Sequence, residues 1–201
     1  MKTIKRILQF TAAVLLIMSC TKSDSYFNDE RNTSFIQGPS EPVMVTLPFK
    51  ADFIGTYMYA GPEASCGDWN PEDGIMWGMV INEGSGTGTH LGKFTHYFEF
   101  CAEFVSGVYP GPTNHMVAFF TAANGDILHI QCSGTVIPGR LDYHPDDVNS
   151  YFKDPFVILG GTGRFEGATG CGYTDDYNRD SYPENSFHHW NGTITMVKGK
   201  Q

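Results

Sequence analysis

Two histidines carry the first chemical suggestion in this sequence. His96 sits in the run Lys93–Phe104, where Phe94, Phe98, Phe100, Ala102 and Phe104 alternate with Tyr97, Glu99, Cys101 and Glu103. His188 opens a later run in which His188, Trp190, Ile194 and Met196 share one parity. On extended strands that parity puts both histidines on the apolar side. Two imidazoles on facing walls can hold a metal or move a proton. Two hydrogen-bonded core histidines fit the same pattern, and that plainer account is preferred. His189 follows His188 directly, so it points to the opposite face. His90, His115, His129 and His144 show no ligand spacing.

The second suggestion is a set of oxygens. In Asp176-Tyr177-Asn178-Arg179-Asp180, the residues Asp176, Asn178 and Asp180 alternate as in the opening of a calcium loop. The continuation departs from that pattern. Ser181 stands where the turn glycine belongs, and Phe187 where the bidentate glutamate belongs. A solvated acidic loop is therefore preferred. Tyr143, Asp146, Asp147 and Asp175 add to a negative surface that could collect Ca²⁺ weakly. No cofactor is implied. The nucleophile motif Gly-x-Ser-x-Gly and the zinc motif His-Glu-x-x-His are both missing. Glu99 and Glu103 share a strand face, but it is the outer one.

These residues must be positioned by strands. No stretch keeps a helical period, while short alternating runs recur at Phe53–Tyr59, Ile75–Asn82, Thr87–Phe104, Met116–Ala122, Ile127–Val136, Phe156–Leu159, Gly167–Thr174 and Phe187–Val197. Turn signals separate them, the strongest being Asn124-Gly125 between two apolar runs. About eight strands in one domain suggest an all-β fold, either a closed barrel or a sandwich. In Ile127–Val136 the core side is Leu128, Ile130, Cys132, Gly134 and Val136. Cys101 then points out and Cys132 in, which argues against a bond between them. If the strands run in order, Cys101, Cys132 and Cys171 lie on alternate strands, roughly 9–10 Å apart and too far to bridge. Cys66, in a loop, is freest to find a partner, and one disulfide is expected.

The run Gly160-Gly161-Thr162-Gly163-Arg164-Phe165-Glu166-Gly167-Ala168-Thr169-Gly170 invites a phosphate reading. It is not a P-loop, because Gly-Lys-Ser/Thr is absent, and it misses the dinucleotide spacing before Gly167. A backbone bend fits better, with Phe165 plugging the end of a barrel. Val157 to Phe165, followed by Ala168 and Gly170, resembles the strand–turn–strand motif of plant dirigent proteins and of the wider allene-oxide-cyclase-like superfamily. That resemblance implies an antiparallel eight-stranded barrel over residues 49–198. Thr89-His90-Leu91-Gly92 is similar to a stretch of bacterial lipoproteins with this barrel. No catalytic residue of the plant families maps onto a position here, so the resemblance implies a fold and not an activity.

The chain start speaks to location. Lys2, Lys5 and Arg6 precede a mostly apolar run, Ile7–Met18, which has the length of a signal-peptide core. Ile17-Met18-Ser19-Cys20 resembles a bacterial lipobox, which implies a diacylglyceryl group on the Cys20 thiol and cleavage that makes Cys20 the new N-terminus. Residues 1–19 then form the cleaved signal, 20–48 a lipidated tether, and 49–198 the barrel domain. Thr21-Lys22-Ser23-Asp24-Ser25 is similar to the polar stretch of Bacteroidetes surface lipoproteins. The expected address is the cell envelope, anchored to the outer membrane by lipid and facing the periplasm or the surface. The formal charge is −9, and the leader holds three of the basic residues, so a nucleic-acid partner is not expected.

Three functions follow. A binding barrel would hold a small apolar or aromatic ligand among Phe94, His96, Phe98, Phe100, His188 and Trp190, and it is preferred. An interaction protein, possible as a homo-oligomer, would use outward Tyr57, Tyr59 and Tyr97. A cyclase or isomerase would use His96 as its polar group.

Overall fold

The computed structural model describes residues 41–111, 113, 115–180 and 185–199. The expected signal peptide, Cys20, the expected tether to residue 40 and Ser181 lie outside the described residues. The strands are β1 (Met44–Pro62), β2 (Trp69–Asn70), β3 (Ile75–Gly88), β4 (Gly92–Glu103), β5 (Val108–Tyr109), β6 (Met116–Ala122) and β7 (Ile127–Cys132). They continue as β8 (Gly134–Thr135), β9 (Ile137–Pro138), β10 (Val148–Phe152), β11 (Pro155–Gly161), β12 (Thr169–Thr174), β13 (Asp176–Arg179) and β14 (Ser186–Val197). Among the described residues no helix is long and apolar enough to cross a membrane.

Eight strands pair antiparallel in the order β1-β3-β4-β6-β7-β11-β12-β14, and β14 pairs back onto β1. The fold is a closed eight-stranded barrel, as expected. Closure runs from Met44↔Val197 to Gly55↔Ser186, which leaves no free edge in the wall. Beyond the wall, β13 pairs with the start of β14, β10 pairs with β13, and β9 with β10.

The inner face is aromatic. Phe53 packs edge-on against Phe94, Phe98, Phe120 and Trp190, with ring centroids 5.1–5.9 Å apart. Phe156 stacks on Trp190 at 4.8 Å. Each such ring, once buried, contributes about 1.5–3 kcal/mol of transfer free energy.

One end of the barrel is sealed by the glycine run. Gly160 takes φ +105°, a conformation open to glycine and costly for other residues. The chain then makes a short 3₁₀ turn, Gly163–Phe165, whose Phe165 is fully buried. Arg164 ties three hairpin turns together. Its Nε donates to Asp126 Oδ2 at 2.9 Å and its Nη1 to the His90 carbonyl at 3.1 Å.

Several boundaries differ from the sequence reading. Thr87–Phe104 is two strands, because the chain turns at Thr89–Leu91 with His90 at φ 64°. Phe104 falls past the end of β4 and is 37% exposed, so it leaves the core. β7 stops at Cys132, short of Val136. β1 starts at Met44, so strand replaces tether over residues 44–48.

Candidate functional site

The end opposite the glycine turn holds a cavity of about 40 Å³ of water-accessible space, room for about three waters. Its apolar wall is Phe98, Phe100, Met116, Phe152 and Trp190. Its polar wall is Tyr57, Asn82, Tyr109, Cys132, Asp176 and His188. The elements explain the mixture. Barrel strands β4, β6 and β14 supply Phe98, Met116 and Trp190 from their inward parity, while β10 and β13 add Phe152 and Asp176.

A chain of hydrogen bonds runs inward from this wall. The Asp176 carboxylate accepts three N–H groups: His188 Nδ1 at 2.8 Å, Trp190 Nε1 at 2.9 Å, and the His189 backbone at 2.9 Å. A carboxylate only accepts, so His188 Nδ1 carries a proton. In the neutral ring, His188 Nε2 then accepts the Ser186 hydroxyl at 3.0 Å. Ser186 Oγ accepts Asn82 Nδ2 at 2.9 Å, and Asn82 Oδ1 accepts His96 Nε2–H at 2.8 Å. The chain ends at His96 Nδ1, which is buried without a hydrogen-bond partner. Burial, and then the neighbouring His188, bring the His96 pKa down to about 3. Gly55 makes room for this network. A methyl there would overlap Asn82 Oδ1 and come within 2.7 Å of Ser186 Oγ and 2.9 Å of His96 Nε2.

Asp176, His188 and Ser186 stand in the hydrogen-bond order of a serine-hydrolase triad. Ser186 is fully buried, with its oxygen held between His188 and Asn82. No substrate carbonyl reaches it, so nucleophilic catalysis does not follow.

A second polar group lies beside the first. Tyr109 donates to Asp154 Oδ2 at 2.7 Å, and Asp154 Oδ1 accepts the Thr135 N–H at 3.3 Å. Burial pushes the Asp154 carboxyl above its usual range and Tyr109 well above that of a phenol. Burial also pushes the Cys132 thiol up to about 12 and the Tyr57 phenol up to about 12. Tyr57, Tyr109 and Cys132 hold their protons at neutral pH and offer no thiolate or phenolate nucleophile.

Of the six interior candidates, Phe98, Phe100, His188 and Trp190 line the cavity. Phe94 and His96 are buried deeper, Phe94 against Phe120 at 4.6 Å. His96 and His188 do come together, with ring centroids 5.8 Å apart. Among the described residues no three His, Cys, Asp or Glu side chains gather as a metal site. The calcium reading of Asp176, Asn178 and Asp180 fails for a plain reason: the segment is a strand, not a loop. Asp176 and Asn178 turn inward, where Asn178 accepts from Tyr57 at 3.1 Å and donates to Ser150 at 3.0 Å, while Asp180 accepts from Asn149.

Tyr57 is a second correction. It is expected on the outer surface together with Tyr59, but the β1–β3 register shifts between the two residues, so they face opposite sides. Tyr57 keeps the inward parity of Phe53 and Gly55 and lines the cavity, and the bulge after it turns Tyr59 outward, 41% exposed. Tyr97 is half-buried, stacked on Phe119 at 5.5 Å. Cys101 points out as expected and is bonded to Cys66, whereas Cys132 is a free, buried thiol. Asn82, Tyr109, Asp154 and Ser186 had no sequence signal, since each is a lone polar residue whose partner comes from another strand.

No protein-family model and no curated protein matches this chain. Among solved structures, a pterocarpan synthase dirigent protein is similar at 15% identity and a TM-score of 0.39, covering 87% of this chain and 100% of that one. So distant a likeness carries nothing about activity, and the fold described above rests on its own strand pairing.

Proposed function

We propose that this protein is a lipid-anchored component of a bacterial cell envelope whose barrel binds a small, largely apolar molecule at its open end. The observation that supports binding is the cavity itself: an aromatic wall with a few fixed polar groups, at the one end the glycine turn does not plug. The anchor rests on the Ile17-Met18-Ser19-Cys20 run and the basic, apolar leader before it. The test of binding is mass spectrometry on the protein purified from its own envelope, under native and then denaturing conditions. A discrete mass lost on denaturation supports binding, and a bare native mass counts against it. For the anchor, Cys20→Ala should move the protein from the membrane to the soluble fraction. Retention of that variant in the membrane would refute lipidation.

One observation favours a second reading, a proton-moving cyclase or isomerase. His188 lines the cavity with Asp176 bonded to its Nδ1, the arrangement that orients a general acid–base imidazole. His96, with its pKa near 3 and its place behind the wall, is unsuited to that role. Turnover that survives intact in His188→Gln would sink His188 as the acid–base group, and with it the one observation behind this reading.

A further inference from the structure

This inference rests on the binding reading and concerns the charge of the molecule bound. The polar wall faces the cavity almost entirely with acceptors. Tyr57 gives its proton to Asn178, and Tyr109 gives its proton to Asp154. Each phenol therefore has only lone pairs for another neighbour. Asp176, 5% exposed, is an acceptor by nature, and Asp154, 9% exposed, stands behind Tyr109. Among the described residues no Lys or Arg lines the cavity, and His188 is the wall's one basic side chain, held between Asp176 and Ser186. Asp176 also adds to what burial does: it raises the pKa of Tyr57, Cys132 and Asp154 alike. Its negative field therefore reaches across the cavity.

The apolar wall suits the same sign. Phe98, Phe100 and Phe152 line it with aromatic rings, whose faces attract cations, while Trp190 is stacked against Phe156 and Phe98 and contributes its Nε1–H to Asp176. A carboxylate at the wall of an aromatic enclosure, in a low-dielectric setting, strengthens that attraction. An anion of the same shape would meet Asp176 and two phenol oxygens, with only the Asn82 amide and the Cys132 thiol to donate.

We infer that the cavity selects a small organic ammonium, a cation on a compact apolar body, over neutral or anionic molecules of the same shape. About 40 Å³ of accessible space keeps that body compact.

Three probes of one shape test this: tert-butylammonium, tert-butanol and pivalate. Each is titrated, at matched ionic strength and about pH 8.5, into the full-length protein carrying ¹⁵N-indole tryptophan in detergent. The chain has 3 Trp, so the spectrum holds few indole signals. Trp190 Nε1–H donates to Asp176 and reports on the carboxylate directly. Trp69 and Trp77 lie off the cavity wall and serve as controls. The expected result is a saturable shift of the Trp190 signal by tert-butylammonium at a concentration at least about tenfold lower than by tert-butanol, with no shift by pivalate. Asp176→Asn should abolish the preference, and the wild-type comparison stands even if that variant does not fold. Equal potency of the ammonium and the alcohol overturns charge selection and leaves the binding reading intact. A Trp190 signal that none of the three moves overturns both.

Discussion

Acidification should destabilise this barrel through one side chain. His96 is 3% exposed and its Nδ1 has no partner. Burial, with help from His188, holds its pKa at about 3 in the fold, against an ordinary value of 6.5. The unfolded chain therefore takes up a proton on this ring near pH 6.5, and the folded chain does not until far lower pH. The folded pKa is the depressed one, so the stability is fully present above 6.5 and drains away as pH falls toward 3. Each unit in that window costs about 1.4 kcal/mol, so a drop to about pH 5 costs about 2 kcal/mol from His96 alone. His96→Gln keeps an N–H for Asn82 and removes the titration. Urea unfolding of both proteins at about pH 7.5 and about pH 5, followed by tryptophan fluorescence, isolates the effect. His144 is also lowered by burial, but it is present in both proteins and cancels. The wild type should lose about 2 kcal/mol more than the variant on acidification. Equal losses would refute the reasoning.

Three further outcomes are expected. Gly55→Ala pushes a methyl into Asn82, Ser186 and His96 and should cost about 2–5 kcal/mol, from overpacking together with broken buried hydrogen bonds, read by thermal unfolding; a variant as stable as wild type would show that the network yields freely. Replacing Cys66 and Cys101 together by Ser opens a link across a sequence separation of 35 and should cost about 3–4 kcal/mol in urea unfolding. Cys132, 5% exposed with its thiol pushed up to about 12, should resist iodoacetamide in the folded protein and react once urea is added, as peptide mass spectrometry would show; rapid labelling without urea would contradict its burial.

The barrel wall was legible because one face of every strand meets the core. The parity of Phe94, Phe98 and Phe100, or of Leu128, Ile130 and Cys132, is enforced by the pleat and survives in the letters. The failures fall where that period breaks. The bulge after Tyr57 splits it from Tyr59, turning Tyr59 outward without changing composition. The turn at His90 uses a left-handed histidine where a glycine would have announced it. The candidate site was half legible for a related reason. Its aromatic half follows parity, as Phe98 and Trp190 do. Its polar half does not, because Asp176, Ser186 and Asn82 look like solvent-facing residues until β3, β13 and β14 are brought together. The direction of Cys101 could be read from its strand, but its partner could not, since Cys66 sits in an irregular segment.

The join between β1 and β14 sets an order of events for a chain that emerges from its N-terminus. The first strand of the wall must wait for the last, with some 150 residues between Met44 and Val197, before its second row of backbone partners exists. Until then both β1 and β12 expose open edges, the surfaces most prone to pair with other chains. A sheet whose longest-range pairing comes last is slow to finish. The same strand brings Ser186, His188 and Trp190, so the wall and the site are completed in one step. A chain truncated before Ser186 would therefore be an aggregating sheet with no cavity, and no weakened form of the binding protein should be recoverable from it.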